Sequence, residues 1–124
     1  MKTFTLFIFF MFYFSPGVMA QEGVIDKKFI SVSTFLVATT MLDVESTFIA
    51  LEKNPGGREI NPVMRPLVES GRLAVYAVNG AVDVALIAWS YKLKKDVNKL
   101  WWIPPLIVGT THATAGGLNL RFVF

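Results

Sequence analysis

The sequence predicts an all-α membrane protein, a cleavable signal peptide followed by a three-helix transmembrane bundle. Three observations carry this. Hydrophobic residues make up 53% of the 124 residues and charged residues only 17%, against about a quarter charged in a soluble domain. A short chain has too little interior to bury that much apolar surface, and the mean hydropathy of +0.51 agrees. Three apolar runs of helical length follow an N-terminus laid out like an export signal. Disorder, a nucleic-acid module and an ordinary cytosolic enzyme are excluded by the same arithmetic.

Residues 1–20 fit a signal peptide. Lys2 gives the positive start, residues 4–14 form the apolar run, and Pro16-Gly17 break it. That run is too short to span a bilayer. Val18 and Ala20 are small residues at −3 and −1 of a cut after Ala20, so the mature membrane domain is expected over 21–124. The rival is an uncleaved anchor helix.

The first helix is expected over about 29–51. At about 1.5 Å per residue it reaches about 34 Å, enough for a hydrocarbon core of about 30 Å. The second is expected over about 73–91, with Trp89 and Tyr91 as interfacial anchors. The third is expected over about 101–120. Trp101-Trp102 would form an aromatic belt, Pro104 and Pro105 fit the first turn, and Arg121 could snorkel to the headgroups. The end of the chain, 118–124, alternates loosely as a barrel strand would, but the three long runs lack period 2.

Asn54-Pro55-Gly56-Gly57 is a turn signal. Residues 62–68 read as a short amphipathic helix on the membrane surface, with Asn61 as N-cap and Pro62 at N1. Residues 92–99 form a basic loop. An export signal places 21 outside, 52–72 inside and 92–99 outside. That leaves Lys53, Arg58, Arg65, Arg72 and Arg121 inside, against Lys27, Lys28, Lys92, Lys94, Lys95 and Lys99 outside. Basic residues normally favour the inside, so the lysine loop argues against the signal.

Ionisable residues in a spanning helix cost roughly 2.5–3.5 kcal/mol each on insertion scales, so they tend to face a polar interior. The first helix carries Asp43 and Glu45, the second Asp83 and Asn79, the third His112 and Asn119. Thr40, Asp43 and Thr47 share one face, and Glu45 points away from it. Tyr76, Asn79 and Asp83 share a face of the second helix, as do His112, Gly116 and Asn119 of the third. Gly109, Ala113 and Gly117 form a small-residue stripe suited to close helix approach. Three polar faces predict one mid-membrane polar centre, with His112 beside Asp43 or Asp83.

Two uses of that centre stay open. Interhelical polar pairs hold helices together, and acid–imidazole pairs relay protons or ligate cations. Without cysteine, with one histidine and with no His-Glu-x-x-His, a zinc site lacks its usual ligands. No cofactor is implied. No Gly-x-Ser-x-Gly elbow or phosphate loop occurs. The pI near 9.3 comes from lysines and arginines between apolar runs, which fits juxtamembrane anchoring rather than a nucleic-acid partner.

Leu42-Asp43-Val44-Glu45-Ser46-Thr47, then Arg58-Glu59-Ile60-Asn61-Pro62, then Arg65-Pro66, a late Trp101-Trp102 and a helix with His112 and Asn119 form a pattern. It resembles a family of small bacterial multi-pass membrane proteins catalogued as a domain of unknown function. That family has an Asp-x-x-x-Thr helix, a Glu-x-Asn-Pro loop and a late helix with His and Asn. The resemblance covers about 35–120 and implies architecture and residues rather than a reaction. It singles out Asp43, Thr47, Glu59, Asn61, Pro62, His112 and Asn119, and leaves Glu45 and Asp83 outside the pattern. It implies the bacterial inner membrane.

The expectation is therefore a small integral membrane protein whose polar centre serves helix packing and assembly with itself or another membrane protein, within the lipid bilayer. The alternative is an intramembrane enzyme or a proton- or metal-coupled site using Asp43, Glu59 and His112. Thr47, Asn61, Asp83 and Asn119 are the accompanying binding candidates.

Overall fold

A computed structural model describes residues 23–124. The expected signal peptide at 1–20 lies outside the described residues, which are helical without strands. Four helices follow one another: α1 Lys27–Lys53, α2 Arg65–Glu69, α3 Arg72–Lys95 and α4 Ile103–Leu120. At about 1.5 Å per residue, α1 is about 40 Å long, α3 about 36 Å and α4 about 27 Å. α1 and α3 are each long and apolar enough to cross a membrane.

The caps show why the helices begin where they do. The Asp26 carboxylate accepts the Phe29 N–H at 2.8 Å and starts α1 two residues before the apolar run. Pro104 and Pro105 occupy the first turn of α4, as expected. The turn at 54–57 forms too. The Gly57 N–H donates to the Asn54 carbonyl at 2.8 Å, and Gly56 supplies the positive φ of 88°.

The short helix differs from expectation. Asn61 and Pro62 do not start α2, which begins at Arg65 with Met64 as cap. Asn61 instead caps the preceding turn: its Oδ1 accepts from the Val63 N–H at 3.0 Å, and its carbonyl accepts from Arg65 at 2.9 Å. The side chain thus bonds two residues onward, the habit that makes Asn a turn former.

The helix directions follow from who meets whom. Every hydrogen bond from the α1 side to the α4 side joins residues 68 to 73 positions apart. A constant offset means that α1 and α4 run parallel and in register. Against α3 the order inverts: Glu45 meets Tyr76, Thr40 meets Asp83, and Phe29 meets Tyr91. α3 is antiparallel to both.

The apolar packing gathers mainly at the two ends, with the fully buried Leu36 between them against Gly109. At one, Val44, Val68 and Val75 are buried together with Phe48, Leu51, Met64 and Leu67 around them, which seats α2 against α1 and α3. At the other, Phe29 packs on Trp101 with ring centroids 5.7 Å apart and edge-on to Tyr91 at 6.2 Å. The Lys94 ammonium lies 4.8 Å from the Trp101 ring centroid, within cation–π range. Trp101 is therefore buried at 9% exposure, and only Trp102 keeps the exposed position expected of both.

Candidate functional site

Between these two ends the helices meet through polar side chains. α4 turns one seam toward α1: Pro105, Gly109 and Gly116 are buried, with His112 and Asn119 half-buried along the same line. The spacing alternates four and three, the periodicity of helices packed nearly parallel. A Cβ on Gly109 would lie 2.8 Å from the Phe35 ring. One on Gly116 would lie 2.9 Å from the Leu42 side chain and 3.1 Å from the Asp43 nitrogen. Glycine at both positions is what lets the two backbones come this close. The expected stripe was Gly109, Ala113 and Gly117, but Gly117 faces open space. The seam follows Gly116 because the 3.5 spacing, not a strict step of four, keeps a stripe facing one neighbour.

Asp43 is the hub of the seam. Its Oδ2 lies 2.7 Å from His112 Nδ1, with the two side chains 22% and 16% exposed. An ionised carboxylate only accepts, so in that form of Asp43 the Nδ1 proton points at it. The Asp43 carbonyl accepts the Thr47 hydroxyl at 2.8 Å and the Ser46 hydroxyl at 3.1 Å. Asn119 Nδ2 donates to those same two oxygens, at 2.8 Å to Thr47 and 3.3 Å to Ser46. Asp43 thus meets α4 directly at His112 through its side chain, and about two turns on at Asn119 only by way of the Ser46 and Thr47 hydroxyls that its carbonyl holds.

Asp83 joins α3 to the same region. It is 4% exposed, and its Oδ1 receives the Thr40 hydroxyl at 3.2 Å. Glu45 points elsewhere, as its spacing requires, and finds a partner there: the Tyr76 hydroxyl donates to it at 2.6 Å and Arg72 lies 3.7 Å away. The structure thus brings Asp43, His112, Thr47 and Asn119 together, with Asp83 held to Thr40 alongside.

Glu59 and Asn61 stand apart from this cluster. Glu59 Oε1 accepts the Asn61 N–H at 3.0 Å, and the Glu59 carbonyl accepts Arg65 Nε at 3.0 Å. The Glu-x-Asn-Pro segment spends its polar groups on its own turn and on the approach to α2. No hydrogen bond links Glu59 to Asp43 or His112 among the described residues. Nor do three or more of the potential metal ligands cluster among them.

Sequence reasoning missed some members. Ser46 was legible only as part of a pattern, yet it is 2% exposed and bonded to both Asp43 and Asn119. Ser90 on α3 is as deeply buried, and its hydroxyl has no hydrogen-bond partner among the described residues. A lone serine in an apolar run carries no signal that could have marked it. Outside the cluster, α4 shows an open recess of about 390 Å³ lined by Thr110, Thr111, Thr114, Ala115 and Leu118.

The family described as "Domain of unknown function (DUF5658)" matches residues 34–123, which takes in α2, α3, α4 and most of α1. No curated protein and no solved structure matches the chain.

Proposed function

The chain belongs to the DUF5658 family, and on that premise we propose a small integral membrane protein of three spans, α1, α3 and α4, whose polar centre locks the spans together. The observation that carries this reading is the arrangement of polarity. Thr39, Thr40, Ser46, Asp83 and Ser90 are buried, while Ile30, Phe35, Val82, Val84 and Ile107 are exposed. Buried polar side chains between helices beside many exposed apolar ones suit a lipid surround, where interhelical hydrogen bonds and close packing supplement the hydrophobic drive. Export by a cleaved signal and residence in the bacterial inner membrane complete the reading. The locked unit assembles with itself or with another membrane protein.

Because the chain has no cysteine, single introduced cysteines report sidedness. Arg58→Cys and Lys99→Cys should react with an impermeant maleimide from opposite sides of sealed vesicles. Labelling of both from one side removes the three-span reading.

A second reading has its own observation, the Asp43–His112 contact at 2.7 Å within the helices. An acid–imidazole pair at that depth can pass a proton. Proteoliposomes with a trapped pH dye separate the two. Proton movement that disappears in Asp43→Asn at unchanged abundance supports the relay, and no movement in the parent protein supports packing alone.

A further inference from the structure

α1 begins where α3 ends, so Lys27, Lys28, Lys92, Lys94, Lys95 and Lys99 gather at one end of the molecule. Among the described residues, the acids there are Asp26 and Asp96. Lys94 is consumed internally: it pairs with Asp26 and donates to the Val24 carbonyl at 2.7 Å. The other five lysines are exposed. The opposite end is nearly balanced. Its Lys53, Arg58, Arg65, Arg72 and Arg121 stand among Glu52, Glu59 and Glu69, and Arg72 is committed to Glu45 and Glu52.

The lysine end also holds out apolar groups. Val97 is 82% exposed, Leu100 59% and Trp102 40%. Val97 closes α3 in the left-handed region at φ 60°, with its N–H on the Lys94 carbonyl and the Asn98 N–H on the Leu93 carbonyl. That is a helix stop in which glycine is usual. A β-branched residue there is strained, and its side chain stands in the open between Lys95 and Lys99.

We infer that this end is a recognition surface for anionic phospholipid headgroups. The lysines hold the phosphates, and Val97, Leu100 and Trp102 reach the acyl boundary between them. The source is a lipid rather than a free anion because the apolar groups set among the lysines give a soluble phosphate nothing to bind. This rests on the three-span reading, and it adds a preference among lipids that spanning alone does not require.

All three tryptophans, Trp89, Trp101 and Trp102, lie toward this end, so their fluorescence reads the lipids around it. The full chain would be placed in phosphatidylcholine vesicles containing phosphatidylglycerol, with one lipid or the other carrying brominated acyl chains as contact quencher. Phosphatidylglycerol should bind about fivefold or more tightly than phosphatidylcholine, since one lysine near an anionic surface is worth about that factor. The quintuple variant Lys27→Gln, Lys28→Gln, Lys92→Gln, Lys95→Gln, Lys99→Gln should bring the ratio to about one, with unchanged helix content. Arg58→Gln with Arg121→Gln should leave it as it was. Equal quenching by both lipids, a preference that survives the quintuple variant, or one abolished by added inorganic phosphate overturns the inference. Quenching by neither lipid overturns the three-span reading itself.

Discussion

The Thr40 hydroxyl meets the Asp83 carboxylate at 3.2 Å, at the midpoint of both helices that carry them. Thr40 also lies 3.0 Å from the Leu36 carbonyl. A hydroxyl has one proton, so it serves one acceptor at a time. An amide at 83 would donate to the Thr40 oxygen and free that proton for Leu36. Asp83→Asn should therefore be at least as stable as the parent in detergent melts. Asp83→Leu removes the bond between α1 and α3 and should cost about 0.6–1.7 kcal/mol, the measured span for such bonds in membrane helices. A destabilised Asn variant would mean that Asp83 has a use that needs its charge.

Two neighbouring glycines should answer differently to the same change. Gly116→Leu places carbon against Leu42 and the Asp43 backbone, where a Cβ already comes within 2.9 Å, whereas Gly117 has nothing within 4 Å. Gly116→Leu should lower stability by about 1–3 kcal/mol, as overpacking does, and pull Asp43 away from His112. Gly117→Leu should leave melting and helix content unchanged. A reversal would put the seam with α1 on the wrong face of α4.

Relief of strain should show at the end of α3. Val97 pays for a left-handed backbone with a branched side chain. Val97→Gly should raise stability by about 1 kcal/mol, read as a higher melting temperature. Should the variant melt lower, the Val97 side chain has contacts that outweigh the strain.

Acid should loosen the lysine end. The hydrogen bond from Lys94, aided by the Phe29 N–H, holds the Asp26 carboxyl below its usual 3.8. A depressed carboxylate stabilises the fold above the unfolded value and loses that contribution as pH falls through the folded one. Amide exchange in residues 92–99 should therefore speed up below about pH 4, after correction for the intrinsic rate. Asp26→Asn should flatten this response. Equal acid sensitivity in that variant would move the cause elsewhere.

Much of this architecture is legible in the residues, and the rest is not for identifiable reasons. The apolar runs mark the three long helices to within a turn, because length and hydropathy are local properties. Helical spacing also puts Asp43 with Thr47 and His112 with Asn119 on common faces, and these faces meet. Which partner an acid takes is not local. Spacing allows His112 to sit beside either acid, and the parallel register gives it to Asp43. Spacing turns Glu45 away from the Asp43 face without naming its partners, which α3 supplies as Tyr76 and Arg72. Glu59 reads as a possible visitor to Asp43, but its own turn uses it first. In that loop a backbone N–H two residues away is closer than any helix.

The parallel register of α1 and α4 sets an order of events during synthesis. α1 leaves the ribosome long before its partner, with the Asp43 side chain and the Ser46 and Thr47 hydroxyls facing a helix that does not yet exist. Their matching groups, His112 and Asn119, are 69 to 73 residues downstream, near the end of the chain. Until they arrive, the polar side chains on this face of α1 lack the partners that α4 brings. A nascent chain arrested before α4 should therefore be a quality-control substrate, and closure is complete only once the Val123 and Phe122 carbonyls reach Lys53 and Asn54.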